Sequence, residues 1–401
     1  MEKTSRGNRL HIGFYGRVNV GKSTLINKIV NQEVSIVSEQ KGTTTDVVYK
    51  TMELLPIGPV VLMDTAGVDD NTSLGKKRIK KTAETLDKAD IAVIICDYNG
   101  WSEAEEEIAR KAKDINTPIL AVITKNDVKK VSTTNLDKVK KFTKNIIITN
   151  QNDNKLITEF KNLLIEILPE DYIKDETVTG NLVREKDIVI LVIPIDKEAP
   201  KGRLILPQVQ MIRELLDKNA KVVIVKENEL KEVIEELNTQ PKLVITDSQA
   251  FKKVSEIVPK NIMLTSFSIL LANSKGDINI FLNGAKSIDR LQVNDKILFF
   301  ESCTHHAIDD DIARVKIPKM LEKKTDKKFR YEYHSGCAMP ENINEYSLII
   351  HCGACMTNKK EVLTRINKAQ SLNIPITNYG VVIAYCLGIA ERAVLPLKLY
   401  K

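Results

Sequence analysis

The 401-residue sequence contains no hydrophobic run long enough to cross a bilayer. The longest apolar stretches, "ADIAVIIC" (Ala89–Cys96) and "DIVILVIPID" (Asp187–Asp196), fall well short of the ~20 apolar residues that a membrane helix requires. The N-terminal segment "MEKTSRGNRL" also lacks the apolar core of a signal peptide. We therefore expect a cytoplasmic protein with no membrane partner.

Cysteine and aromatic residues are scarce. Six cysteines do not make a disulfide framework, and in a reducing cytoplasm a close pair such as Cys352 and Cys355 indicates metal or redox chemistry. Aromatic residues make up 5% of the chain and do not interleave with the basic runs. The net charge of +7 is therefore assigned to solvated helix faces, and no nucleic-acid partner is expected.

The length exceeds what one hydrophobic core usually organises, so several domains are expected. Residues 10–165 alternate β-rich runs with helical stretches, which predicts a parallel sheet covered by helices in a first domain of residues 1–170. Residues 171–267 show the same alternation of predicted strands and helices but no loop with candidate catalytic or metal-binding residues. We interpret them as a dimerisation domain. Residues 268–401 form the third predicted domain and hold most of the cysteines and histidines.

A phosphate-binding loop is predicted at "GRVNVGKST", which matches G-x-x-x-x-G-K-S/T between a predicted strand and a predicted helix. Glycines in such a loop let backbone N–H groups face phosphate oxygens at a helix N-terminus. Lys22 is expected to reach the β- and γ-phosphates, and the Ser23 hydroxyl to bind Mg²⁺. The predicted nucleotide-binding residues here are Gly16, Asn19, Val20, Gly21, Lys22, Ser23 and Thr24.

Two segments that follow are suited to the metal and the γ-phosphate. The threonines of "KGTTTD" can close onto Mg²⁺, with Thr44 as the first choice and Thr43 as the second. In "DTAG", Asp64 can hold Mg²⁺ through water and the Gly67 N–H can sense the γ-phosphate.

The segment "TKND" occupies the place of the guanine-reading N-K-x-D motif. The Asp127 carboxylate can accept both N1–H and the 2-amino group of guanine, which adenine cannot supply, and Lys125 would stack along the base. Thr124 stands where asparagine is usual, which predicts modest nucleotide affinity.

The four motifs, in this order, resemble those of translation-factor-related GTPases, especially the branch with Era and the tRNA-modification GTPase MnmE. The resemblance covers about the first 165 residues. It implies that Asn19 helps to bind K⁺ in place of an arginine finger, so the expected catalytic residues are Lys22, Asn19 and Thr44. The "SA" motif of these GTPases is not visible in "IIITNQND", and no glutamine follows "DTAG", so slow intrinsic hydrolysis is expected.

A Cys/His set lies in the third region. Cys303 and His305 follow the β-rich run "KILFFES", and His351, Cys352 and Cys355 follow "EYSLII". A thioredoxin-like role is unfavourable because a second Cys–His element accompanies the pair. A zinc site or a [4Fe–4S] cluster with one exchangeable position both fit, and spacing alone does not separate them.

The remaining cysteines and histidines look ordinary. Cys96 is interpreted as a core residue, Cys337 and Cys386 as buried or incidental thiols, and His306 and His334 as surface residues or neighbours of the Cys/His set.

The whole chain resembles the [FeFe]-hydrogenase maturation GTPases of the HydF family. The segments that carry the resemblance are the GTPase motifs, "APKGRLILPQVQMIRELLD", "CTHH", "DIARVKIP", "HCGACM" and "TNYGV". The resemblance implies a P-loop GTPase domain, an α/β dimerisation domain and an α/β cluster-binding domain. It also implies a [4Fe–4S] cluster on Cys303, Cys352 and Cys355, with His305 or His351 as a weak fourth ligand or a neighbour. The segment "GCAMP" departs from the family pattern, where an acidic–aromatic pair is expected before the proline.

The function implied is that of a GTP-hydrolysing, homodimeric scaffold. It would receive a transient diiron precursor made with radical-SAM maturases and deliver it to the apo-[FeFe]-hydrogenase. GTP and GDP with Mg²⁺, and K⁺, are the expected small ligands. Two alternatives are an RNA- or ribosome-assembly GTPase with a C-terminal zinc module, and a zinc scaffold with a decayed GTPase.

Overall fold

The computed structural model describes residues 6–32, 38–40, 47–67, 82, 84–150, 153, 155–169, 172, 177–195, 204–301, 311–336 and 339–400. Several residues with predicted roles lie outside these ranges: Thr43, Thr44, Cys303, His305, His306 and Cys337. The chain divides into two compact units, Met1–Asp175 and Glu176–Lys401. Among the described residues, no helix is both long and apolar enough for a membrane span.

The first unit is built on one sheet with the strand order β2-β3-β4-β1-β5-β6-β7. Its strands are β1 (Leu10–Tyr15), β2 (Ser38–Gln40), β3 (Val48–Leu54), β4 (Gly58–Asp64), β5 (Ile91–Cys96), β6 (Ile119–Ile123) and β7 (Ile146–Ile148). Its described helices are α1 (Lys22–Gln32), α2 (Glu103–Asp114), α3 (Thr133–Lys140) and α4 (Leu156–Glu166). Strands β1, β5 and β6 are buried along their whole length, as expected for parallel strands with helices on both faces.

The prediction of a parallel sheet was wrong at one edge. Strand β3 is antiparallel to both β2 and β4, whereas β4, β1, β5, β6 and β7 are mutually parallel. Only Leu55, Pro56 and Ile57 connect β3 to β4. A parallel connection needs a crossover of a dozen or more residues, so this short turn forces an antiparallel pair.

The second unit contains two smaller sheets. Its strands are β8 (Ile188–Val192), β9 (Lys221–Val225), β10 (Leu243–Thr246), β11 (Met263–Ser266), β12 (Lys296–Glu301), β13 (Arg330–Ser335), β14 (Leu348–His351) and β15 (Ile376–Asn378). Its described helices are α5 (Leu206–Asp217), α6 (Leu230–Glu236), α7 (Phe251–Ile257), α8 (Phe267–Lys275), α9 (Ile278–Lys286), α10 (Ile317–Thr325), α11 (Lys359–Ser371), α12 (Tyr379–Cys386) and α13 (Ala390–Leu399).

The two sheets of this unit share one topology. The strand orders are β9-β8-β10-β11 and β13-β12-β14-β15, and every pair is parallel. In each sheet the chain starts at an inner strand, moves outward to one edge, and then returns across the first strand to build the other edge. Each sheet therefore has a switch point between its two central strands, and ligands of open α/β sheets bind at the carboxyl ends of the strands there.

One hydrophobic core extends through both sheets of the second unit. Helix α8 contributes to this continuity. It contacts strand β11 and helix α5 on the side of the first small sheet, and helices α11 and α12 on the side of the second. The core of the first unit consists of two clusters of its own. The division of residues 171–401 into two domains therefore stays a prediction.

Candidate nucleotide and cluster sites

The phosphate-binding loop joins the end of β1 to the start of α1. Lys22, the first residue of α1, is 8% exposed, and its Nζ donates to the carbonyls of Gly16 and Arg17 at 2.7 Å each. Gly16 has φ +149°, and a Cβ there would lie 2.2 Å from the carbonyl oxygen of Ile95, so only glycine fits. The ammonium is thus held by the carbonyls of the first two residues of the loop.

Two other residues of the loop have a left-handed backbone. Asn19 and Gly21 have positive φ values of 62° and 98°, and Val20 is buried below them. Ser23 and Thr24 are exposed in the first turn of α1. Backbone N–H groups at such a helix N-terminus attract anions.

A hydroxyl and a carboxylate meet where Mg²⁺ is predicted. Ser23 Oγ donates to Asp64 Oδ2 at 3.3 Å, and Asp64 is the last residue of β4. Burial raises the pKa of Asp64, while the Lys22 ammonium and the Ser23 hydroxyl oppose that rise. Gly67 lies three residues further on. The pair offers the oxygen ligands that Mg²⁺ prefers.

The predicted base-reading loop is tied to the phosphate-binding loop. Thr124 Oγ1 lies 2.7 Å from the carbonyl oxygen of Val20 and 3.1 Å from that of Cys96. Lys125 Nζ donates to the carbonyl of Asn19 at 2.7 Å, and Asp127 is exposed beyond it. The threonine that replaces the usual asparagine therefore still connects the two loops.

Sequence reasoning missed a buried carboxylate behind the phosphate-binding loop. Glu105 of α2 has no exposed surface, and its Oε1 accepts from the backbone N–H and the Nε of Arg17 at 3.0 Å each. Arg17 also donates to the carbonyl of Gly100 at 2.8 Å. The other Glu105 oxygen accepts from the N–H of Ser102, the N-cap of α2, at 2.9 Å. The signal was available, since Ser102 and Glu105 form the S-x-x-E pattern of a capping box.

The Cys/His set is associated with the switch point of the third sheet. Strands β12 and β14 are adjacent and parallel, with Phe300 opposite His351, so their carboxyl ends lie side by side. Cys352 follows the last residue of β14, and its N–H donates to the Phe300 carbonyl at 3.0 Å. Cys303 and His305 follow β12 in the sequence but lie outside the described residues. Among the residues that are described, no group of three or more metal-ligating side chains occurs.

The loop from Cys352 to Thr357 surrounds a buried cation. Lys275, the last residue of α8, is 6% exposed, and its Nζ donates to the carbonyls of Ala354 and Thr357 at 2.8 Å each. The Cys355 carbonyl lies 3.5 Å away. Burial lowers the pKa of Lys275 to about 8, and the Cys355 and Cys352 sulfurs act against this decrease. Both sulfurs therefore lie within electrostatic reach of the ammonium.

His351 is buried and both its ring nitrogens have protein neighbours. Nδ1 lies 2.8 Å from the Cys352 carbonyl, and Nε2 lies 2.6 Å from Nη1 of Arg365. A guanidinium can only donate, so Nε2 is the acceptor and Nδ1–H the donor of a neutral imidazole. This arrangement leaves no nitrogen lone pair for iron and favours His351 as a neighbour of the Cys/His set.

Arg365 of α11 is itself enclosed. Its Nη2 donates to Glu361 and, at 2.9 Å, to the Gly336 carbonyl, while the guanidinium lies 4.1 Å from the ring centre of Phe300. His334, on the neighbouring strand β13, stacks on the same ring with the two ring centres 5.2 Å apart. The carboxyl ends of β12, β13 and β14 are thus linked by one set of polar and aromatic contacts.

The chemistry of the residues around Cys352 fits an anionic sulfur cluster. The Tyr379 hydroxyl is buried and has no hydrogen-bond partner among the described residues. Burial raises the pKa of Tyr379 well above its usual value, and negative charge on the nearby Cys352 sulfur would add to the rise. A buried hydroxyl and a buried ammonium therefore both lie within electrostatic reach of Cys352. The remaining described cysteines differ, since Cys96 is a core residue and Cys386 is half-buried on α12.

Comparison with known proteins defines the class of the first unit. Residues 11–125 match the model of the 50S ribosome-binding GTPase family. Together with the sheet order and the phosphate-binding loop, this match defines the first unit as a P-loop GTPase domain, which implies GTP or GDP with Mg²⁺ as its ligand.

The second unit identifies the family. Residues 178–276 match the Hydrogen maturase F dimerization domain, and residues 279–396 match the Hydrogen maturase F tetramerization domain. These two models together cover more than half of the chain. The chain belongs to the hydrogen maturase F family, and its dimerization and tetramerization regions support self-association.

Similar proteins of known sequence match the GTPase part. The tRNA modification GTPase MnmE of Prochlorococcus marinus (strain NATL1A) is 38% identical over 121 residues, which cover 30% of this chain and 26% of that protein. The GTPase Der of Clostridium botulinum (strain Loch Maree / Type A3) is 34% identical over 138 residues, 33% of this chain and 31% of that protein. The chain thus spans about a quarter to a third of the length of these relatives.

Among solved structures, Era of Aquifex aeolicus bound to GDP and AlF4⁻ has 22% identity and a TM-score of 0.33, covering 57% of this chain and 98% of that one. The G domain of the T. maritima iron transporter FeoB has 19% identity and a TM-score of 0.31, covering 40% of this chain and 98% of that one.

Proposed function

We propose that the chain is a GTP-hydrolysing scaffold of [FeFe]-hydrogenase maturation that binds a [4Fe–4S] cluster. The observation that carries the proposal is the Cys352–Thr357 loop, which follows a central strand at a sheet switch point and encloses a buried ammonium beside two cysteines. Membership of the hydrogen maturase F family supports the same function.

GTP hydrolysis is assigned to the first unit. Lys22 would contact the β- and γ-phosphates, Ser23 and Asp64 would hold Mg²⁺ with Thr44, and Asp127 would select guanine. Asn19, in its left-handed conformation within the loop, would help to bind K⁺. We further propose that hydrolysis acts as a switch for the association and release of partners.

The cluster is assigned to Cys303, Cys352 and Cys355. Three thiolates leave one iron with an exchangeable position, and this position would supply the contact for the diiron precursor of the hydrogenase cofactor. His305 is the candidate for a weak fourth ligand, and His351 is proposed to act as a neighbour because Arg365 occupies its Nε2. The precursor would come from radical-SAM maturases and pass to the apo-hydrogenase in the cytoplasm.

We propose that self-association involves the edge strand β9. This strand ends one side of its sheet, and Ile224 is 49% exposed on it. Helix α5 packs against β9 and exposes Leu216 to 52%. An unpaired edge with exposed apolar side chains is a template for a second strand, and the region lies within the match to a dimerization domain. The occupant is a second copy of the chain.

Metal analysis and EPR of anaerobically reconstituted protein test the cluster. We expect about four irons per chain and a reduced-cluster signal that changes when cyanide or imidazole is added, because an exchangeable iron site is accessible. Cys355→Ser should lose most of the iron, whereas Cys386→Ser, on the isolated half-buried thiol, should retain it. One zinc per chain without iron would refute the cluster and favour the zinc alternative.

Phosphate release assays test the GTPase. Lys22→Ala should abolish measurable GTP hydrolysis, while Lys138→Ala on the exposed face of α3 should leave it unchanged. Hydrolysis that survives in Lys22→Ala would contradict the assignment. Replacement of K⁺ by Na⁺ in the assay should slow the reaction if Asn19 has the proposed role.

A further inference from the structure

Lys275 is unusually buried for a lysine at the end of a helix. It is 6% exposed, although lysine is almost never this buried without a partner of opposite charge. Its ammonium satisfies its donors with carbonyls of the Cys352–Thr357 loop, at 2.8 Å for Ala354 and Thr357. Lys275 and Ala354 are 79 positions apart in the sequence, so the contact is part of the tertiary fold and not of local helix capping.

Carbonyl oxygens satisfy the hydrogen bonds of the ammonium but do not neutralise its charge. The ionisable groups that act on it are Cys355, Cys352 and Glu361. Glu361 already forms a buried ion pair with Arg365, whose side chain is 2% exposed. The cysteines are therefore the neighbours left to balance the charge, and they do so when they are bound to metal as thiolates.

The loop also needs the cation for its shape. Ala354 has φ +53°, a left-handed conformation that costs a non-glycine residue about 1 kcal/mol or more. The carbonyls of Ala354 and Thr357 both point to one ammonium, and Asn378 Nδ2 donates to the Cys352 carbonyl at 3.0 Å. Lys275 and Asn378 thus fix the turn that presents both cysteines.

We propose that Lys275 is a positioning residue of the cluster site, which holds the Cys352–Thr357 loop through its carbonyls and stabilises the negative charge of the thiolate-bound cluster. This inference rests on the proposed function. A fixed positive charge next to a cluster favours the more negative, reduced state. Removal of the charge should therefore lower the reduction potential of the cluster.

The test compares wild type with Lys275→Met, Lys275→Arg and the control Lys368→Met, which removes an exposed charge from α11. The first readout is hydrogen–deuterium exchange of the apo-protein in the peptide that spans residues 352–358. We expect exchange in Lys275→Met to rise about tenfold there and to stay unchanged in the GTPase unit. Lys275→Arg should restore part of the protection, and Lys368→Met should match wild type.

The second readout is the reduction potential, from an EPR-monitored titration of the reconstituted proteins. Lys275→Met should shift it to more negative values by about 60 mV, which corresponds to a tenfold change in a one-electron equilibrium constant. Lys275→Arg should lie near wild type, and Lys368→Met should not shift. Should Lys275→Met fail to fold, Lys275→Gln, which keeps an N–H donor without the charge, replaces it in both measurements.

The outcomes separate the inference from the function on which it rests. A cluster that loads in Lys275→Met with an unchanged potential overturns the charge effect, even when less iron is bound. Unchanged exchange of residues 352–358 overturns the positioning role. Wild-type protein that binds no iron overturns the proposed function and the charge effect with it, whereas the exchange of the apo-protein still decides whether Lys275 holds the loop.

Discussion

Arg365 contacts several groups at the carboxyl ends of the third sheet, although it belongs to none of the sequence motifs. It lies between His351, Glu361 and the Gly336 carbonyl, and its side chain is 2% exposed. Removal of one partner of a buried ion pair leaves the other charge without compensation. The stability of the second unit is therefore expected to depend on this side chain.

The replacement Arg365→Met should lower the free energy of unfolding of the second unit by about 3–5 kcal/mol, because the buried Glu361 would lose its ion-pair partner. Urea denaturation of the apo-protein, followed by circular dichroism, measures the change. The exposed Arg290→Met serves as a control and should change stability by less than about 0.5 kcal/mol. The double variant Glu361→Met/Arg365→Met should recover part of the loss, and no recovery would contradict the pairing.

Thr124 is a second residue whose effect is measurable. Thr124→Val keeps the shape but removes the hydroxyl near the carbonyls of Val20 and Cys96. A hydrogen bond of this kind contributes about 0.5–1.5 kcal/mol, so GDP should bind roughly two- to tenfold more weakly. Titration with a fluorescent GDP analogue measures this, with the exposed Thr134→Val as the control. Equal affinity of wild type and Thr124→Val would show that the connection between the two loops is not needed for binding.

The sequence was more informative for the nucleotide site than for the cysteine site. Lys22, Ser23 and Asp127 lie in continuous motifs whose residue types follow from phosphate and guanine chemistry. Lys275 reaches the cysteine loop from helix α8, and Arg365 reaches His351, the residue before that loop, from helix α11. Neither residue belongs to a local pattern, so only the tertiary fold brings them to the site.

At the level of elements, α2 is linked to the phosphate-binding loop through Glu105. Glu105→Gln should lower kcat/KM for GTP about tenfold, since the amide cannot hold the Arg17 guanidinium and N–H as a carboxylate does. Steady-state phosphate release measures the effect. Glu107→Gln, on the exposed side of the same helix, should behave as wild type. An unchanged kcat/KM in Glu105→Gln would mean that the loop holds its conformation without α2.

Strand β9 offers a prediction about self-association. Ile224→Lys places a charge on the exposed edge strand, and a buried charge without a partner opposes the pairing of two copies. We expect self-association to weaken at least tenfold, as measured by light scattering across a concentration series. Val293→Lys, at an apolar residue 59% exposed in the third-sheet region, is the matched control. Self-association that is unaffected by Ile224→Lys would place the interface elsewhere.

The elements themselves were largely predictable. The runs "LHIGFYG", "IAVIICD", "KLVITD" and "KILFFES" coincide with β1, β5, β10 and β12, because short apolar runs between polar turns are typical of buried parallel strands. Strand β13 was missed, since its sequence "RYEYHS" is polar and its residues are partly exposed at a sheet edge. The common strand order of the two small sheets was also missed, because two segments can share a topology without sharing a repeated amino-acid sequence.

For the whole molecule, the distribution of core residues predicts how the chain unfolds. Every described core cluster lies within one of the two compact units. Differential scanning calorimetry of the apo-protein should therefore show two transitions, with residues 176–401 unfolding together. Mg²⁺-GDP at 100 times its Kd should stabilise only the GTPase transition, by about 2.7 kcal/mol. Three transitions, or a shift of both by GDP, would contradict this division.

Helix α8 contacts elements at both the proposed association edge and the cysteine loop, and this affects the binding equilibria of the second unit. It starts directly after β11, contacts α5 next to the proposed association edge, and ends in the ammonium that holds the cysteine loop. A helix of this length is a stiff rod of ~13 Å, so a displacement at one end is carried to the other. We therefore expect association of two chains and metal occupancy to be linked equilibria. By reciprocity, any factor by which pairing tightens metal binding is the factor by which bound metal tightens pairing.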